Sequence, residues 1–298
     1  MTIALIDHCY SILSTEKRQK AISLLNRSGF LVSSNCIQHD GGKESIFIHF
    51  TGCYLELIEV INQNQFESSC RATELRASKF GYPYALVAAT GNINNCENKL
   101  KESYHDLDKV RYMIPNIPGW EKAAWAILDI SERYTPGCYF QFIQYLLRKP
   151  TWSQVNYGLN NIYGISGFYF CTHTPLEDRE YWYHFLSLIG DCYESKGSSL
   201  STGLQQLNWL HPDEFYAYFG VRPNLDESQG ARLGAVKLLS SDIEISFNYL
   251  KEGGFIIEDY TKEGFYTKVD SNLGYALHIV KGNSVFDYSA SINQRLLE

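Results

Sequence analysis

The chain has 298 residues, 45% of them apolar and 20% charged, and a formal net charge of -7. These values are those of an ordinary folded protein that is long enough for two domains. The densest basic run is short (16–20), so we expect no nucleic-acid partner, because such partners need a basic face. No eighteen-residue apolar stretch, basic leader or Cys-x-x-Cys pair occurs, which predicts a cytoplasmic protein with reduced thiols and no membrane partner.

The first 62 residues predict a strand, a helix and three further strands. Residues 3–13 are apolar and rich in β-favouring residues, and Ser14 or Thr15 can cap a helix that runs to about Arg27. Gly29 fits the left-handed position that ends many helices. The stretches 30–34, 46–50 and 54–60 follow as strands.

The same order of elements is predicted three more times, in units 82–147, 162–222 and 231–285. The second unit has strands at 84–89, 111–115, 123–130 and 138–146 and a helix at 92–104, although 121–128 could equally be helical. The third has strands at 164–172, 203–210 and 213–221 and a helix at 177–189. The fourth has strands at 233–240 and 274–280 and a helix that starts at Ser241, with Glu244 at capping-box spacing.

One decamer is written twice, as GCYLELIEVI at 52–61 and as GCYFQFIQYL at 137–146. Repetition on this scale predicts duplicated structural units, although apolar strands can also resemble one another by chance. A polar seam at 148–161 separates the units into two pairs. The predicted fold class is therefore α+β, with four repeated βαβββ units paired into two domains, at 1–150 and 162–298.

Four stretches of the first domain resemble the glyoxalase-like group of the vicinal oxygen chelate superfamily. They are IDHCYSIL at 6–13, SGFLV at 28–32, HDGGKESIFIHF at 39–50 and YLELIEV at 54–60. This superfamily includes glyoxalase I, extradiol dioxygenases, and the fosfomycin and bleomycin resistance proteins. The resemblance implies paired units with curved mixed sheets that enclose a cleft. It also implies a divalent metal, held by side chains from the first and last strands of each unit.

Carried over residue by residue, the resemblance implies His8, Glu56 and Gln141 as metal ligands. The fourth position falls at or near Ala85, which cannot bind a metal. Imidazole, carboxylate and amide donors suit Mn, Fe, Ni or Zn, and Glu56 would also transfer protons. The second domain offers His278 and Ala217 at the matching places, so we expect that domain to be structural or to cover the substrate.

The residues themselves support a site without reference to the family. Residues two apart in a strand share a face, so Tyr54 and Glu56 face the same side of a strand that is apolar on both faces. A carboxylate there must be paired or bound to a metal, because an unpaired buried charge is costly. The alternative is that His8 and Glu56 bond to one another or to the backbone. Substrate contacts are predicted for the following residues: His39, His49, Tyr54 and Tyr139.

Two main functions remain open at this point. The first is a metal-dependent lyase, isomerase or dioxygenase that acts on a small oxygen-bearing molecule in the first domain. The second is a non-catalytic protein that sequesters a small molecule, as bleomycin resistance proteins do, and the changes at Ala85 and Gln141 favour it. A third is an assembly protein. The expected partner is a small-molecule ligand, and a homodimer is left open.

Overall fold

The structure is a computed structural model that describes residues 5–105, 107–114, 121–147, 157–189, 193–194, 197–225, 230–285, 287–288 and 290. Within these ranges the chain is an α+β protein with two curled mixed sheets and seven helices. No helix in these ranges is long and apolar enough to cross a membrane.

The first sheet holds the eight strands of the first half. They are β1 (Leu5–Leu13), β2 (Ile37–His39), β3 (Lys43–His49), β4 (Tyr54–Val60), β5 (Pro83–Ala89), β6 (Arg111–Met113), β7 (Trp125–Ile130) and β8 (Tyr139–Tyr145). Their order in the sheet is β2-β3-β4-β1-β5-β8-β7-β6. The pairs β1–β4 and β5–β8 are parallel, whereas the central pair β1–β5 is antiparallel. The helices of this half are α1 (Thr15–Arg27), α2 (Gln63–Ser69), α3 (Ala72–Phe80) and α4 (Ile93–Lys101).

The second sheet is built in the same order. Its strands are β9 (Ile162–Thr172), β10 (Tyr193–Glu194), β11 (Ser199–Thr202), β12 (Gln205–Leu210), β13 (Ala231–Ser240), β14 (Ile257–Glu258), β15 (Gly264–Thr267) and β16 (Ala276–Lys281). Their order is β10-β11-β12-β9-β13-β16-β15-β14, with an antiparallel β9–β13 pair at the centre. The helices of this half are α5 (Pro175–Ile189), α6 (Pro212–Phe219) and α7 (Ile243–Gly253).

The core lies between the two sheets, on the faces that carry the long helices. Helix α1 packs against α7, and α4 packs against α5. One apolar cluster contains buried residues of both halves, among them Leu55, Phe140, Phe170 and Leu277. Burial of this apolar area supplies most of the favourable free energy of folding.

Hydrogen bonds also join the two halves. The side chain of Gln205, which is buried, accepts a hydrogen bond from the backbone N–H of Ile6 at 2.5 Å and donates to the carbonyl oxygen of Ile6 at 2.9 Å. The same amide nitrogen lies 3.2 Å from the carbonyl oxygen of Ile165. The side chain of Gln205 therefore satisfies backbone groups of both central strands, β1 and β9.

The opposite face of each sheet is partly covered by short helices. On the first sheet, Phe66 of α2 and Ala77 of α3 pack against Ile12 and Ile58. On the second sheet, α6 contributes buried aromatic residues to an equivalent small cluster. These covered faces carry the polar residues discussed below.

The strand predicted at 213–221 is wrong, because most of this segment forms helix α6. Pro212 occupies a first-turn position, where its missing N–H costs nothing. The side chain of Glu214 accepts a hydrogen bond from the backbone N–H of His211, and Gly220 ends the helix with φ 69°. Capping and the four-residue spacing of Phe215 and Phe219 outweigh the strand preference of aromatic residues.

Two smaller predictions are also wrong, and two helices were not predicted. The stretch 30–34 forms no regular strand: Val32 makes an isolated bridge with Ile48, and β2 begins at Ile37. The cap of α7 is Asp242 rather than Ser241, because the Asp242 carboxylate accepts the N–H of Ile245. Helices α2 and α3 were not predicted, and residues 148–156 of the proposed seam lie outside the described ranges.

The two matching decamers form β4 and β8, the strands that pair in parallel with β1 and β5. Their first residues, Gly52 and Gly137, have φ of 72° and 80°. Gly274, two residues before β16, has φ 77°. Only glycine adopts this left-handed conformation without a steric penalty, so the repeated glycine meets a backbone requirement.

Candidate functional site

The candidate site lies at the centre of the first sheet, on the face opposite α1. In the parallel β1–β4 pair, His8 lies beside Tyr54 and Tyr10 lies beside Glu56. Paired residues face the same side of a sheet, so His8 and Glu56 share this face, one alternation apart on neighbouring strands. Gln141 projects from β8, three strands away from Glu56.

Asp7 orients the imidazole of His8. The β1–β5 register shifts between Ile6 and His8, and this irregularity leaves Asp7 as the extra residue. The carboxylate of Asp7 lies 2.7 Å from Nδ1 of His8, and both side chains are buried. This contact places the ring proton on Nδ1, so Nε2 carries the lone pair of the neutral ring. No described residue bonds to Nε2 of His8.

Two tyrosines complete the surroundings of His8. The hydroxyl of Tyr145 donates to the Asp7 carboxylate at 2.9 Å and hydrogen-bonds to the hydroxyl of Tyr54. The ring of Tyr54 stacks on His8 with 4.3 Å between centroids. Burial raises the pKa of both tyrosine hydroxyls, and the Coulombic interactions raise that of Tyr54 further. Both hydroxyls therefore stay protonated at neutral pH.

Glu56 is a buried carboxylate that is kept ionised. Ser45 donates a hydrogen bond to Oε1 at 2.5 Å, and Nε2 of His39 lies 3.4 Å from the same oxygen. Burial raises the pKa of Glu56, but the hydrogen bond from His39, the attraction of His8 and His39 in their protonated forms, and the hydrogen bond from Ser45 together hold that pKa below its usual range. The His39 side chain is 38% exposed, so it links the buried carboxylate to solvent.

Gln141 belongs to a second polar network on the same face. The hydroxyl of Tyr10 donates to Oε1 of Gln141 at 3.0 Å. The amide nitrogen of Gln141 donates to Asp129 on β7 at 2.6 Å, and the hydroxyl of Tyr139 donates to the same oxygen. The Gln141 carbonyl is thus already engaged by a tyrosine hydroxyl.

Asp129 holds the outer part of this network together. Its other oxygen lies 2.7 Å from Arg71 and 2.5 Å from Arg111. Burial raises the pKa of Asp129, but Arg71, the hydrogen bonds from Gln141 and Tyr139, and Arg111 outweigh it and hold that pKa below its usual range. The guanidinium of Arg71 also lies 4.4 Å above the Tyr139 ring, a cation–π contact.

The donor set can be compared with the needs of a divalent metal. His8 offers Nε2, and Glu56 offers Oε2, since the bonds of Glu56 to Ser45 and His39 are made by Oε1. Gln141 does not join His8 and Glu56 as a third ligand, because it lies three strands from Glu56 and its oxygen accepts a hydrogen bond from the Tyr10 hydroxyl. No group of three or more His, Cys, Asp or Glu in the described ranges could hold a metal ion, whereas a catalytic zinc site ordinarily has three protein ligands. The side chains as arranged do not fit a resident metal.

The four predicted substrate-contact residues have different neighbours in the structure. His39 contacts Glu56, Tyr54 stacks on His8, and Tyr139 joins the Asp129 network. His49 lies beside Tyr54 in the β3–β4 register, with its ring 6.1 Å from Phe47. Whether any of the four touches a substrate stays a prediction.

Several polar residues of this face were not predicted from the sequence. They are Asp7, Tyr10, Ser45, Arg71, Asp129 and Tyr145. Two of them had a usable signal, because Asp7 and Asp129 are acids inside apolar strands, where an ion requires partners. Arg71 had none, since it precedes a helix that was not predicted.

The two ends of this face differ in what covers them. Helices α2 and α3 cover the end that carries Ile12 and Ile58. At the other end, Tyr54, Phe47 and Tyr145 are half-buried. A ligand that approaches from this end would meet the aromatic rings before it meets His8.

No family model matches the chain, and no curated protein matches its sequence. Solved structures do share its fold. A hypothetical protein from Staphylococcus aureus is 12% identical with a TM-score of 0.60, over 93% of this chain and 98% of that one. A mutant of 4-hydroxymandelate synthase from Streptomyces coelicolor is 11% identical with a TM-score of 0.55, over the full length of both chains.

A third similar structure is a fusion of a xylose isomerase-like TIM barrel with a 4-hydroxyphenylpyruvate dioxygenase. It is 11% identical with a TM-score of 0.56, and the match covers all of this chain but 53% of the fusion. The present chain therefore spans about half of that protein. At these identities the likeness shows a shared fold.

Proposed function

We propose that the chain is a two-domain member of the vicinal oxygen chelate superfamily, with glyoxalase-like domains at 1–150 and 162–298. Each domain would contain two βαβββ units. Three observations support this: the matching strand orders of the two sheets, the decamers that form β4 and β8, and the left-handed glycines two residues before β4, β8, β12 and β16. The fold shared with a dioxygenase fusion and with 4-hydroxymandelate synthase agrees with it.

We further propose that the first-sheet face binds a small oxygen-bearing molecule and moves a proton on it, as a lyase or isomerase does. The observation that carries this proposal is the Asp7–His8 pair. A carboxylate that fixes the imidazole tautomer leaves a lone pair on Nε2, which is the arrangement of a general base. The Tyr54 ring stacked on His8 limits how the imidazole can turn.

Glu56 supplies the second group that such chemistry requires. It lies on the same face as His8, stays ionised although buried, and reaches solvent through the half-exposed His39. The proton taken up at Nε2 of His8 would be returned to the product from the same atom, and the ionised Glu56 would stabilise the protonated imidazole in between. A substrate with a carbon-bound hydrogen next to a carbonyl group fits these roles.

Binding of Mn²⁺, Fe²⁺, Ni²⁺ or Zn²⁺ through His8 and Glu56 stays a prediction. Nε2 of His8 supports it, because no described residue bonds to that atom. A site of three residues is disfavoured, because the oxygen of Gln141 accepts a hydrogen bond from Tyr10. We derive no step through a metal. Calorimetric titration with each ion, compared between the wild type and His8→Ala, tests the prediction: equal binding by both proteins would eliminate a metal site at His8.

Deuterium exchange tests the proton-transfer proposal. Small 2-hydroxy and 2-oxo carbonyl compounds are incubated with the protein in D₂O, and loss of the carbon-bound proton is followed by NMR. We expect wild-type protein to accelerate exchange for at least one compound, and His8→Gln to lower the rate by about 10²–10⁴-fold, the usual contribution of a general base. His105→Gln, at an exposed position, is the matched control and should retain the full rate.

The second candidate is a protein that sequesters a small molecule without turnover. The cover formed by α2 and α3 and the replacement of a carboxylate by Gln141 support it. The same experiment separates the two functions. Binding that shifts the NMR signals of a ligand without any exchange would favour sequestration, while exchange at equal rates in wild type and His8→Gln would rule out His8 as the base.

A further inference from the structure

A row of five paired residues crosses the centre of the second sheet. In order across the sheet it consists of Gln206, Gly167, Lys237, His278 and Tyr266. The flanking residues of these strands belong to the apolar cluster that α6 covers, so the row lies on the face equivalent to that of the candidate site in the first sheet. No ligand site was predicted from the sequence in this half.

Lys237 is a half-buried cation to which the described residues bring no opposite charge. No described carboxylate lies within ion-pair distance of it, and no described residue accepts a hydrogen bond from its ammonium group. Desolvation lowers its pKa, and no nearby charge offsets this loss. The described residues therefore provide no partner that would offset the desolvation of the Lys237 ammonium group.

His278 lies beside Lys237 and is neutral. Its pKa is lowered to about 3 by burial and by the charge of Lys237. Nδ1 lies 2.7 Å from the Tyr169 hydroxyl, and burial raises the pKa of that hydroxyl, so it remains a hydroxyl. When Tyr169 donates to Nδ1, the ring proton sits on Nε2 and is a second donor next to Lys237.

A glycine and two tyrosine rings lie next to Lys237 and His278. Gly167 adds no side chain beside Lys237, and Ser166 next to it is the extra residue of a register shift in β9. Bulges of this kind are frequent next to functional sites. Tyr266 stacks on His278 with 4.1 Å between centroids, and the exposed Tyr218 lies 5.2 Å from Tyr266. These rings form an aromatic wall beside the two donors.

We propose that the second sheet binds the carboxylate of a small aromatic acid, with Lys237 and His278 as donors and Tyr218 and Tyr266 as the wall for its ring. A carboxylate would supply the negative charge that Lys237 lacks and would accept hydrogen bonds from both donors. A planar body would pack on the tyrosine rings, which contribute attraction beyond area burial.

The first sheet carries a carboxylate at the place that matches His278, since Glu56 follows Gly52 by four residues just as His278 follows Gly274. The two faces therefore suit ligands of different chemistry. The carboxylate site does not depend on the proton-transfer function proposed for His8, and each can fail without the other.

Isothermal titration calorimetry of the full chain tests this site. The probes are benzoate, phenylacetate and 3-phenylpropanoate, with benzamide as the uncharged control. We expect at least one acid to bind and benzamide to bind at least tenfold more weakly. Lys237→Met keeps the length of the side chain but removes its charge, and it should weaken the acid by about 10–100-fold, the range for a lost charge-assisted hydrogen bond.

Lys262→Met, at an exposed position, is the matched control and should bind the acid like the wild type. His278→Phe keeps an aromatic ring and removes both ring nitrogens, so it should also weaken binding. Thermal unfolding of each variant establishes that it is folded before titration. Equal binding of the acid by wild type and folded Lys237→Met would overturn the proposal, as would binding of none of the three acids to the wild type.

Discussion

Replacement of Asp129 by Asn is the sharpest test of the buried polar network. The amide keeps the oxygen that accepts from Gln141 and Tyr139, but its nitrogen would face two guanidinium groups. The structure places Arg71 and Arg111 at 2.7 and 2.5 Å from the oxygen that is lost. Two cations would therefore meet an N–H donor in place of a carboxylate.

The expected cost follows from these contacts. A hydrogen bond to a charged group contributes about 1.5–3 kcal/mol, but Arg71 and Arg111 are half-exposed and can turn to water, which lowers their share. We expect Asp129→Asn to lower the free energy of unfolding by about 2–4 kcal/mol. Urea unfolding, followed by both circular dichroism and tryptophan fluorescence, measures this from the shift of the midpoint.

Asp108→Asn is the control, because it removes a carboxylate that is 62% exposed and lies 3.5 Å from the same Arg71. An exposed pair contributes about 0–1 kcal/mol, so this variant should stay close to the wild type. If Asp129→Asn unfolded within about 0.5 kcal/mol of the wild type, or if both variants lost the same stability, the buried network would not contribute as described.

The same variant carries a pH prediction. The pKa of Asp129 is lower in the folded state than in the unfolded chain, where it is about 3.9. Its contribution is therefore fully present above the unfolded value and is lost as the pH falls through the folded value. The stability gap between wild type and Asp129→Asn should stay constant near neutral pH and close below about pH 4.

Two further substitutions test the packing around the sheets. Gly274→Ala would place a methyl group on a left-handed backbone and against the Gly81 carbonyl. Thermal unfolding should therefore show that the free energy of unfolding falls by at least about 1–2 kcal/mol. Gly91→Ala is the control and should be neutral, because open space surrounds Gly91. Arg18→Met would leave two carboxylates unpaired beneath α1 and should cost about 3–5 kcal/mol in urea unfolding, while Lys20→Met on the exposed face should change little. A neutral Gly274→Ala or Arg18→Met would contradict the packing described for that residue.

Strand β4 shows which features the sequence could predict. Its bounds, 54–60, match the prediction, because a run of mostly apolar residues begins two positions after Gly52. The burial of Glu56 was also predicted, since both faces of the strand are apolar. Both inferences depend on residues close together in the chain.

The site itself depends on contacts that period-two counting cannot reach. Counting along β1 puts Asp7 on the face opposite His8, but the register irregularity brings their side chains together. Arg71 approaches Asp129 across 58 positions of the chain, from a segment whose two short helices have weak signals. The prediction for the α6 segment was wrong for a different reason. Its aromatic residues favour a strand, but His211, Glu214 and Gly220 provide the caps of a helix.

The side-chain amide of Gln205 bonds both the N–H and the carbonyl oxygen of Ile6, as the backbone of a neighbouring strand would, two positions before His8. A fragment that ends near residue 150 would leave this N–H and carbonyl without their partner and would expose the shared apolar cluster to water. The two halves therefore could not be expressed separately or exchanged by recombination without harm to strand β1. A substitution in the second half that shifts Gln205 on β12 would therefore also displace Ile6 and the nearby imidazole of His8 in the first half.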